Sequence, residues 1–150
     1  MKLHQQKGVA AVELALIMVP MLILCFGIVE VGRALYYYDG LVKATRGAAR
    51  YLTQQNLNDT ASYNAAVAIA KSLAICGKKS CAASDPKLVL GLDNPSQVTV
   101  TSYPTVLTGA GSASLVSVNI ASVNFTSFLP YGIASFTFAP IKITMAWSTT

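Results

Sequence analysis

The feature that most constrains this chain is an apolar run over Val9–Val31 that only Glu13 and Glu30 interrupt. No charged residue lies within Leu14–Val29. As an α-helix, the whole run would be about 35 Å long, enough to cross a hydrocarbon core of about 30 Å. The sequence therefore predicts a transmembrane helix over residues 9–31.

The residues that flank this run predict its orientation. Lys2 and Lys7 precede it, and basic residues are enriched on the cytoplasmic side of membrane helices, so we expect residues 32–150 to lie outside the cytoplasm. A secretory signal peptide would have a shorter apolar core and then a cleavage site with small residues. The sequence that follows here, Glu30-Val-Gly-Arg-Ala-Leu-Tyr36, offers no such site. The pattern favours a membrane anchor, and an anchor that is never processed remains one alternative.

An amphipathic pattern continues beyond the apolar run. Apolar side chains recur at alternating spacings of four and three residues, while the basic side chains lie off that seam. The seam contains Val31, Leu35, Tyr38, Val42, Ala49 and Leu52, with Thr45 filling the gap between Val42 and Ala49. One helix is therefore predicted to continue from the membrane to about Gln54. A second helix is predicted over about 60–75. Asp59 or Thr60 would cap its N-terminus, and Gly77 would end it.

Residue usage changes to Val, Thr, Ser and Phe after Asp85-Pro86. Three later segments alternate apolar and polar residues, as strands with one buried face do. These segments are 97–103, 115–125 and 141–147. The Gly- and Ser-rich segment 108–114 would be a flexible connection that joins the first two as a long hairpin. We therefore predict an α+β fold, in which the amphipathic part of the long helix and the second helix pack on a small antiparallel sheet within about 88–147.

Composition argues against several classes of function. The only histidine, His4, lies in the short basic head, so Ser-His or Cys-His catalysis and histidine-built metal sites are not expected beyond it. The acidic residues are scattered, without the paired spacing typical of acid–base catalysis. The net charge of +5 is also spread along the chain, so nucleic acid is not an expected partner. We expect neither an enzyme nor a bound cofactor or metal.

Cys76 and Cys81 are separated by four residues, in a segment expected outside the cytoplasm. No other Cys or His lies nearby, so a disulfide is favoured over a metal site, and free thiols are the alternative. So small a ring would stabilise the fold by only about 2 kcal/mol. Its role would be to fix the loop after the second helix. Cys25, within the apolar run, has no evident partner.

The start of the apolar run resembles a known processing signal. A short basic head ends at Gly8, and Val9-Ala-Ala-Val-Glu13 follows before the apolar stretch. This arrangement resembles the class III signal of type IV pilins and pseudopilins, which a prepilin peptidase cleaves after the glycine. The resemblance implies a leader over residues 1–8, cleavage between Gly8 and Val9, and Glu13 as the fifth residue of the mature chain.

The continuation of this motif is similar to a narrower group, the TadE-like minor pseudopilins of the tight-adherence (Tad/Flp) pilus machinery. Pro20 within the span is one shared feature, and a Gly-x-x-Glu-x-Gly-Arg exit is the other. The exit residues here are Gly27, Glu30, Gly32 and Arg33. The similarity covers about residues 5–52, and a weaker one lies at 128–132, Phe-Leu-Pro-Tyr-Gly. It implies an inner-membrane, single-pass protein with a cytoplasmic N-terminus and a periplasmic domain over residues 32–150, which could also enter an extracellular pilus.

A role for Glu13 follows from the same resemblance. A carboxylate inside a bilayer needs a partner, and cleavage would create one, the new amine of Val9 on the same or a neighbouring chain. Their attraction at intermediate dielectric would be several kcal/mol, comparable to the cost of burial. The pairing would favour packing of the apolar helix against other subunits. The alternative is that Glu13 lies at the headgroup level and contributes little.

Two further features lie where the helix would leave the membrane. Glu30 and Arg33 are three residues apart and can pair at the outer interface, although a solvated membrane edge would place the same residues there. Tyr36–Tyr38 are typical of an interfacial aromatic belt, with partner binding as the alternative.

The resemblance implies a minor pseudopilin needed for assembly of a tight-adherence pilus that serves adhesion and biofilm formation. Its expected partners are the prepilin peptidase, other pilin or pseudopilin subunits, the inner-membrane assembly platform and membrane lipid. One alternative is an envelope or adhesion protein that is permanently anchored and never processed. An enzyme anchored at the outer face is another, and the absence of a catalytic set argues against it.

Overall fold

Two helices followed by five strands make up the described part of the protein, in a computed structural model that covers residues 6–109, 111–128 and 135–147. The helices are α1 (Gln6–Leu52) and α2 (Thr60–Cys76). The strands are β1 (Val98–Thr108), β2 (Gly111–Ile120), β3 (Asn124–Phe125), β4 (Phe136–Thr137) and β5 (Ile141–Trp147). This order confirms the predicted α+β fold. Residues 1–5 of the predicted leader and residues 129–132 of the C-terminal motif lie outside the described ranges.

The N-terminal half of α1 stands apart from the rest of the protein. From Gly8 to Val29 its residues are exposed, except for the half-buried Gly27. Within the described residues, α1 is the one helix long and apolar enough to cross a membrane, with a mean hydropathy of 2.6 in its most apolar window. Pro20 lies inside it, and membrane helices contain proline more often than soluble ones. An apolar surface of this size requires lipid or another protein to cover it.

The C-terminal half of α1 packs on α2, β2 and β5, largely through small side chains. Its buried residues are Glu30, Ala34, Leu41, Ala44, Thr45, Ala48, Ala49 and Leu52. Three members of the predicted seam, Val31, Leu35 and Tyr38, are instead 51%, 64% and 45% exposed. The prediction was wrong for these three, because alanines permit the close approach of neighbouring elements and so place a different face of α1 in the core. The side chains of Val31, Leu35 and Tyr38 therefore remain on the surface.

Capping residues define both ends of α2. The Asp59 carboxylate accepts a hydrogen bond from the backbone N–H of Ser62 at 2.9 Å, which satisfies one donor of the first turn. Gly77 adopts a left-handed conformation with φ 70, and its N–H donates to the carbonyl of Leu73. Glycine takes up this conformation without the steric cost of a Cβ. The buried face of α2 consists of Ala66, Ala70, Ala74, Ile75 and Cys76.

The main sheet is antiparallel, in the order β1-β2-β5. β1 and β2 form one long hairpin, which runs from Val98 opposite Ile120 to Thr108 opposite Gly111. The hairpin expected at the connection over 108–114 is confirmed, but the ladder extends further into this segment than predicted. Residues 111–114 lack the strand pattern, yet their backbone groups pair with the neighbouring strands all the same. Trp147, at the end of β5, pairs with Ser114.

The predicted strand 115–125 is divided in the structure. β2 ends at Ile120, and Phe125 belongs to β3, which pairs with β4 in a separate two-stranded sheet. The N–H of Phe138, just after β4, donates to the carbonyl of Val123. The short β3–β4 unit therefore lies beside the end of β2, at the opposite end of the sheet from the β1–β2 turn.

The segment before β1 forms turns rather than a strand. Gly91 has φ 89, and an added Cβ would lie 3.0 Å from Val123 and 3.1 Å from the carbonyl oxygen of Asn124. Asn94 caps a short 3-10 turn that contains Pro95. Proline lacks the N–H that a ladder needs, so pairing begins only at Val98, after the start of about residue 88 that was predicted for the sheet.

Candidate functional site

The residues of the predicted processing signal lie on the exposed half of α1. Gly8 and Val9 lie near its N-terminus, and a Cβ added to Gly8 would meet nothing within 4 Å. Glu13 is exposed and follows Val9 by four residues, which places both on one side of the helix. The ion pairs found in the described part of the chain do not involve Glu13. Its carboxylate is thus accessible to a group from outside the domain.

Glu30 and Arg33 form a two-bonded ion pair where α1 meets the domain. Arg33 donates from Nη2 to Glu30 Oε1 at 2.6 Å and from Nε to Oε2 at 3.1 Å. Glu30 is only 4% exposed, although it directly follows the exposed apolar half of α1. A paired carboxylate and guanidinium are specific in geometry as well as strong. The pair therefore lies under a protein cover, unlike a solvated membrane edge.

The cover is the chain segment after β3. The backbone N–H of Phe128 donates to Glu30 Oε1 at 2.9 Å, and Arg33 Nη2 donates to the carbonyl of Thr126 at 2.6 Å. These bonds join residues that are 98 and 93 positions apart in the sequence. Glu30 and Arg33 thus hold the loop after β3 against α1 at the C-terminal end of its apolar run.

Four phenylalanines cluster beside the Glu30–Arg33 pair. We call them the aromatic foot: Phe125, Phe128, Phe136 and Phe138. The Cζ atom of Arg33 lies 4.1 Å from the ring centroid of Phe128 and 4.5 Å from that of Phe125. Such cation–π contacts are attractive, particularly where water is partly excluded. Three of the rings also contact one another. The ring centroid of Phe136 lies 5.1 Å from that of Phe125 and 5.2 Å from that of Phe138.

Sequence reasoning did not identify the aromatic foot. A signal was present, because four of the five phenylalanines lie between residues 125 and 138. Only the folded chain shows that Phe125 and Phe128 contact Arg33, which is more than ninety positions away, and that the other two rings pack beside Phe125.

An open groove of about 320 Å³ separates α1 from the aromatic foot. Its helix side includes Val31, Leu35 and Tyr38, the three seam residues that the core leaves exposed. Its other side is formed by Phe125, Phe136 and Phe138. Glu30 is its one charged lining residue, and Arg33 and Phe128 already hydrogen-bond that carboxylate. The groove therefore presents an apolar surface.

Comparison with known proteins bears on α1. Residues 8–50 match the family model TadE, described as TadE-like protein. The N-terminal segment is TadE-like. The match confirms the resemblance drawn from the motifs around Gly8, Glu13 and the exit of the apolar run. Searches of curated proteins and of solved structures gave no significant match. The TadE-like segment covers nearly all of α1, the helix whose length and apolar composition suit a membrane anchor.

Outside the TadE-like segment, a disulfide closes the end of α2. It joins Cys76 to Cys81, whose Cα atoms are 5.8 Å apart, within the usual range for a disulfide. Asp85 lies near both sulfurs, but zinc binds cysteine as thiolate, so the oxidised pair is not a ligand set. Lys87 Nζ lies 3.7 Å from the sulfur of Cys81. The bridge fixes the beginning of the loop that follows α2.

Asp85 orders the remainder of that loop. Its carboxylate accepts hydrogen bonds from the N–H of Ala82 and from Lys78 Nζ, both at 2.9 Å. These bonds, the one from Ala82 first, lower the pKa of Asp85 below its ordinary value. The loop is thus tied at Cys81 by a covalent bond and at Asp85 by hydrogen bonds.

Proposed function

We propose that this protein is a minor pseudopilin-like subunit needed for assembly of a tight-adherence (Flp-type) pilus that serves adhesion and biofilm formation. In this proposal the prepilin peptidase removes residues 1–8, residues 9–31 span the inner membrane, and residues 32–150 form a periplasmic domain. The observation that carries the proposal is the coincidence of the TadE-like match with α1. The cleavage motif, Glu13 and a long exposed apolar surface all lie on this one helix.

The exposed half of α1 supports a role in assembly. Its side chains from Val9 to Val29 contact no other part of the described chain closely enough to be buried. In the membrane, lipid would cover this surface, and helices of other pilin subunits would cover it after extraction by the assembly platform. Glu13 would pair with the amine of Val9 on the same or a neighbouring subunit, since an isolated carboxylate in a bilayer is costly. The protein would therefore act by packing rather than by catalysis.

Processing is tested by expressing the full chain with and without an active prepilin peptidase and sequencing the mature N-terminus. We expect a chain that begins at Val9 when the peptidase is present and at Met1 when it is absent. Gly8→Leu should retain the leader because a bulky side chain replaces hydrogen at the cleavage position. Gly47→Ala, on the same helix and without neighbours within 4 Å, should be processed normally.

An unprocessed wild-type chain, in cells whose peptidase cleaves another prepilin, would contradict the proposal. It would favour an envelope or adhesion protein that is permanently anchored.

The assembly role of Glu13 is tested by counting pili on cells that carry Glu13→Ala. We expect normal cleavage and membrane insertion but fewer pili, because the new N-terminal amine loses its partner. Val12→Ala, at the adjacent exposed position, should leave piliation unchanged. Normal piliation in Glu13→Ala would rule out this role for the carboxylate.

A further inference from the structure

The groove beside α1 is unusual because large apolar side chains line it and yet remain exposed. Leu35 is 64% exposed and Phe136 is 41% exposed. Phe128, at the rim of the same region, is 79% exposed. Exposed apolar patches with a common location generally mark a binding surface. The occupant must be apolar, because Arg33 and Phe128 already satisfy Glu30, the one charged lining residue.

The position of this surface along α1 is fixed by hydrogen bonds. Phe128 is bonded through its N–H to Glu30, and its ring lies over the guanidinium of Arg33. The aromatic foot is therefore level with residues 30–33, directly after the apolar run. If residues 9–31 cross a bilayer, the foot lies at the boundary between its hydrocarbon core and its headgroups. Segments that lie in this boundary bury Trp, Phe and Leu side chains in it.

We propose that the aromatic foot docks on the interface of the bilayer that α1 spans, with phospholipid acyl chains occupying the groove. This inference depends on the membrane anchoring in the proposed function. It adds that the domain is attached to the bilayer at a second place, through residues about one hundred positions downstream of the span.

Continuity with the span favours lipid over a protein partner. Val31 lines both the groove and a shallow depression that extends down α1 along Ile23, Leu24 and Ile28. The apolar surface of the span thus continues into the groove without interruption. Glu30 and Arg33 are both engaged within the chain, so neither offers an unsatisfied polar group to a protein partner.

Depth-dependent quenching by brominated phospholipids tests the proposal directly. The full chain is reconstituted in phosphatidylcholine vesicles that carry bromine either near the headgroup or near the chain end. Phe128→Trp is the reporter, and Leu107→Trp is the control in water, because Leu107 is 86% exposed near the β1–β2 turn. Leu22→Trp reports on the middle of the span. The signal of the native Trp147 is subtracted with the wild-type chain.

We expect the Phe128→Trp variant to lose fluorescence with headgroup-proximal bromine more than with chain-end bromine. The Leu22→Trp variant should show the opposite order, and Leu107→Trp should lose none. Quenching of Leu22→Trp without quenching of Phe128→Trp would contradict the docking of the aromatic foot on the bilayer. The proposal that α1 anchors the protein in the membrane would still stand. Failure of quenching at both positions would contradict the anchoring itself, and with it this inference.

Two further measurements distinguish a groove that holds lipid from a groove that holds a second copy of the chain. Glu30→Gln weakens the bonds that hold the foot, so in the Phe128→Trp background it should reduce the quenching by headgroup-proximal bromine. Quenching at Leu22→Trp should not change. Cysteine cross-linking through Leu35→Cys tests the competing occupant, with Leu107→Cys as control. Dimers formed selectively through Leu35→Cys, in vesicles where Phe128→Trp is not quenched, would assign the groove to a second copy.

Discussion

At Glu30, one carboxylate accepts hydrogen bonds from two parts of the chain that are far apart in sequence. Arg33 supplies the neighbouring charge, and the N–H of Phe128 supplies a further bond. Removing one member of a buried ion pair leaves the other charge without its partner. This loss destabilises a fold more than the intact pair stabilises it. Individual residues therefore fix how the domain meets α1.

The core can be tested at the residue scale with a matched pair of leucines. Leu92 is 0% exposed and Leu90 is 67% exposed in the same loop. Leu92→Ala should lower the free energy of unfolding by about 2–5 kcal/mol, because it removes buried methyl groups and leaves a cavity. Leu90→Ala should change it by only about 0.5 kcal/mol. Urea denaturation of the full chain in detergent, followed by circular dichroism, measures both, and equal losses would contradict the burial of Leu92 in the core.

At the scale of elements, α1 contains two glycines with different surroundings. A Cβ at Gly40 would lie 2.9 Å from Cγ2 of Val89, whereas one at Gly47 would have no neighbour within 4 Å. Val89 is only 2% exposed, so its short side chain has little room to move. Gly40 thus permits α1 to approach the loop before β1 closely, and Gly47 has no such role within the described domain.

Alanine at these positions should change stability in opposite directions. Gly47→Ala should raise the free energy of unfolding by about 1 kcal/mol, from better helix propensity alone. Gly40→Ala has the same gain in propensity, but the clash with Val89 should more than offset it, since overpacking costs about 1–3 kcal/mol. Denaturation in detergent compares the two variants with the wild type. A stabilised Gly40→Ala would contradict the close packing.

The N-terminus of α2 should make the domain sensitive to acid. Hydrogen bonds from Ser62, its backbone N–H first, lower the pKa of Asp59 below its ordinary value of 3.8. A lowered folded-state pKa means that the carboxylate stabilises the fold fully above pH 3.8 and progressively less as the pH falls through the folded pKa.

Asp59→Asn isolates this effect, because asparagine caps a helix but does not titrate. Near neutral pH its thermal midpoint should be close to that of the wild type. Below pH 3.8 the wild type should lose more of its thermal stability than the variant does. Asp59→Ala should have a lower midpoint at neutral pH, by roughly 2–8 °C, since the cap is lost. Parallel acid profiles for the wild type and Asp59→Asn would contradict the titration of the cap.

At the scale of the whole molecule, the disulfide acts through the unfolded chain as well as the folded one. The bridge closes a ring between residues five apart, so it removes limited entropy from the unfolded ensemble. The double variant Cys76→Ser, Cys81→Ser should lower the free energy of unfolding by about 2 kcal/mol while preserving the fold. Cys25→Ser serves as the control, because Cys25 is exposed on the apolar half of α1 and outside the domain core. A non-reducing mass measurement that finds three free thiols in periplasmic material would contradict the bridge.

Features that depend on local pattern could be predicted from the sequence alone. The apolar run, the motif around Gly8 and Glu13, and the alternation over 141–147 each lie within a short stretch. The apolar periodicity that is typical of helices and of strands can be recognised within such stretches. The order of elements and the α+β class could therefore be predicted. The cap at Asp59 and the stop at Gly77 could be predicted for the same reason, since each needs only its neighbours.

The packing of the whole domain sets which face of α1 is buried and which residues lie beside the end of its apolar run. Periodicity favoured one seam along α1, but packing through the alanines left Val31, Leu35 and Tyr38 of that seam exposed. The C-terminal members Ala49 and Leu52 are buried. The contacts of Glu30 and Arg33 with Thr126 and Phe128 join positions more than ninety residues apart. No local pattern encodes such contacts, because they depend on how the helices and sheet pack as a whole.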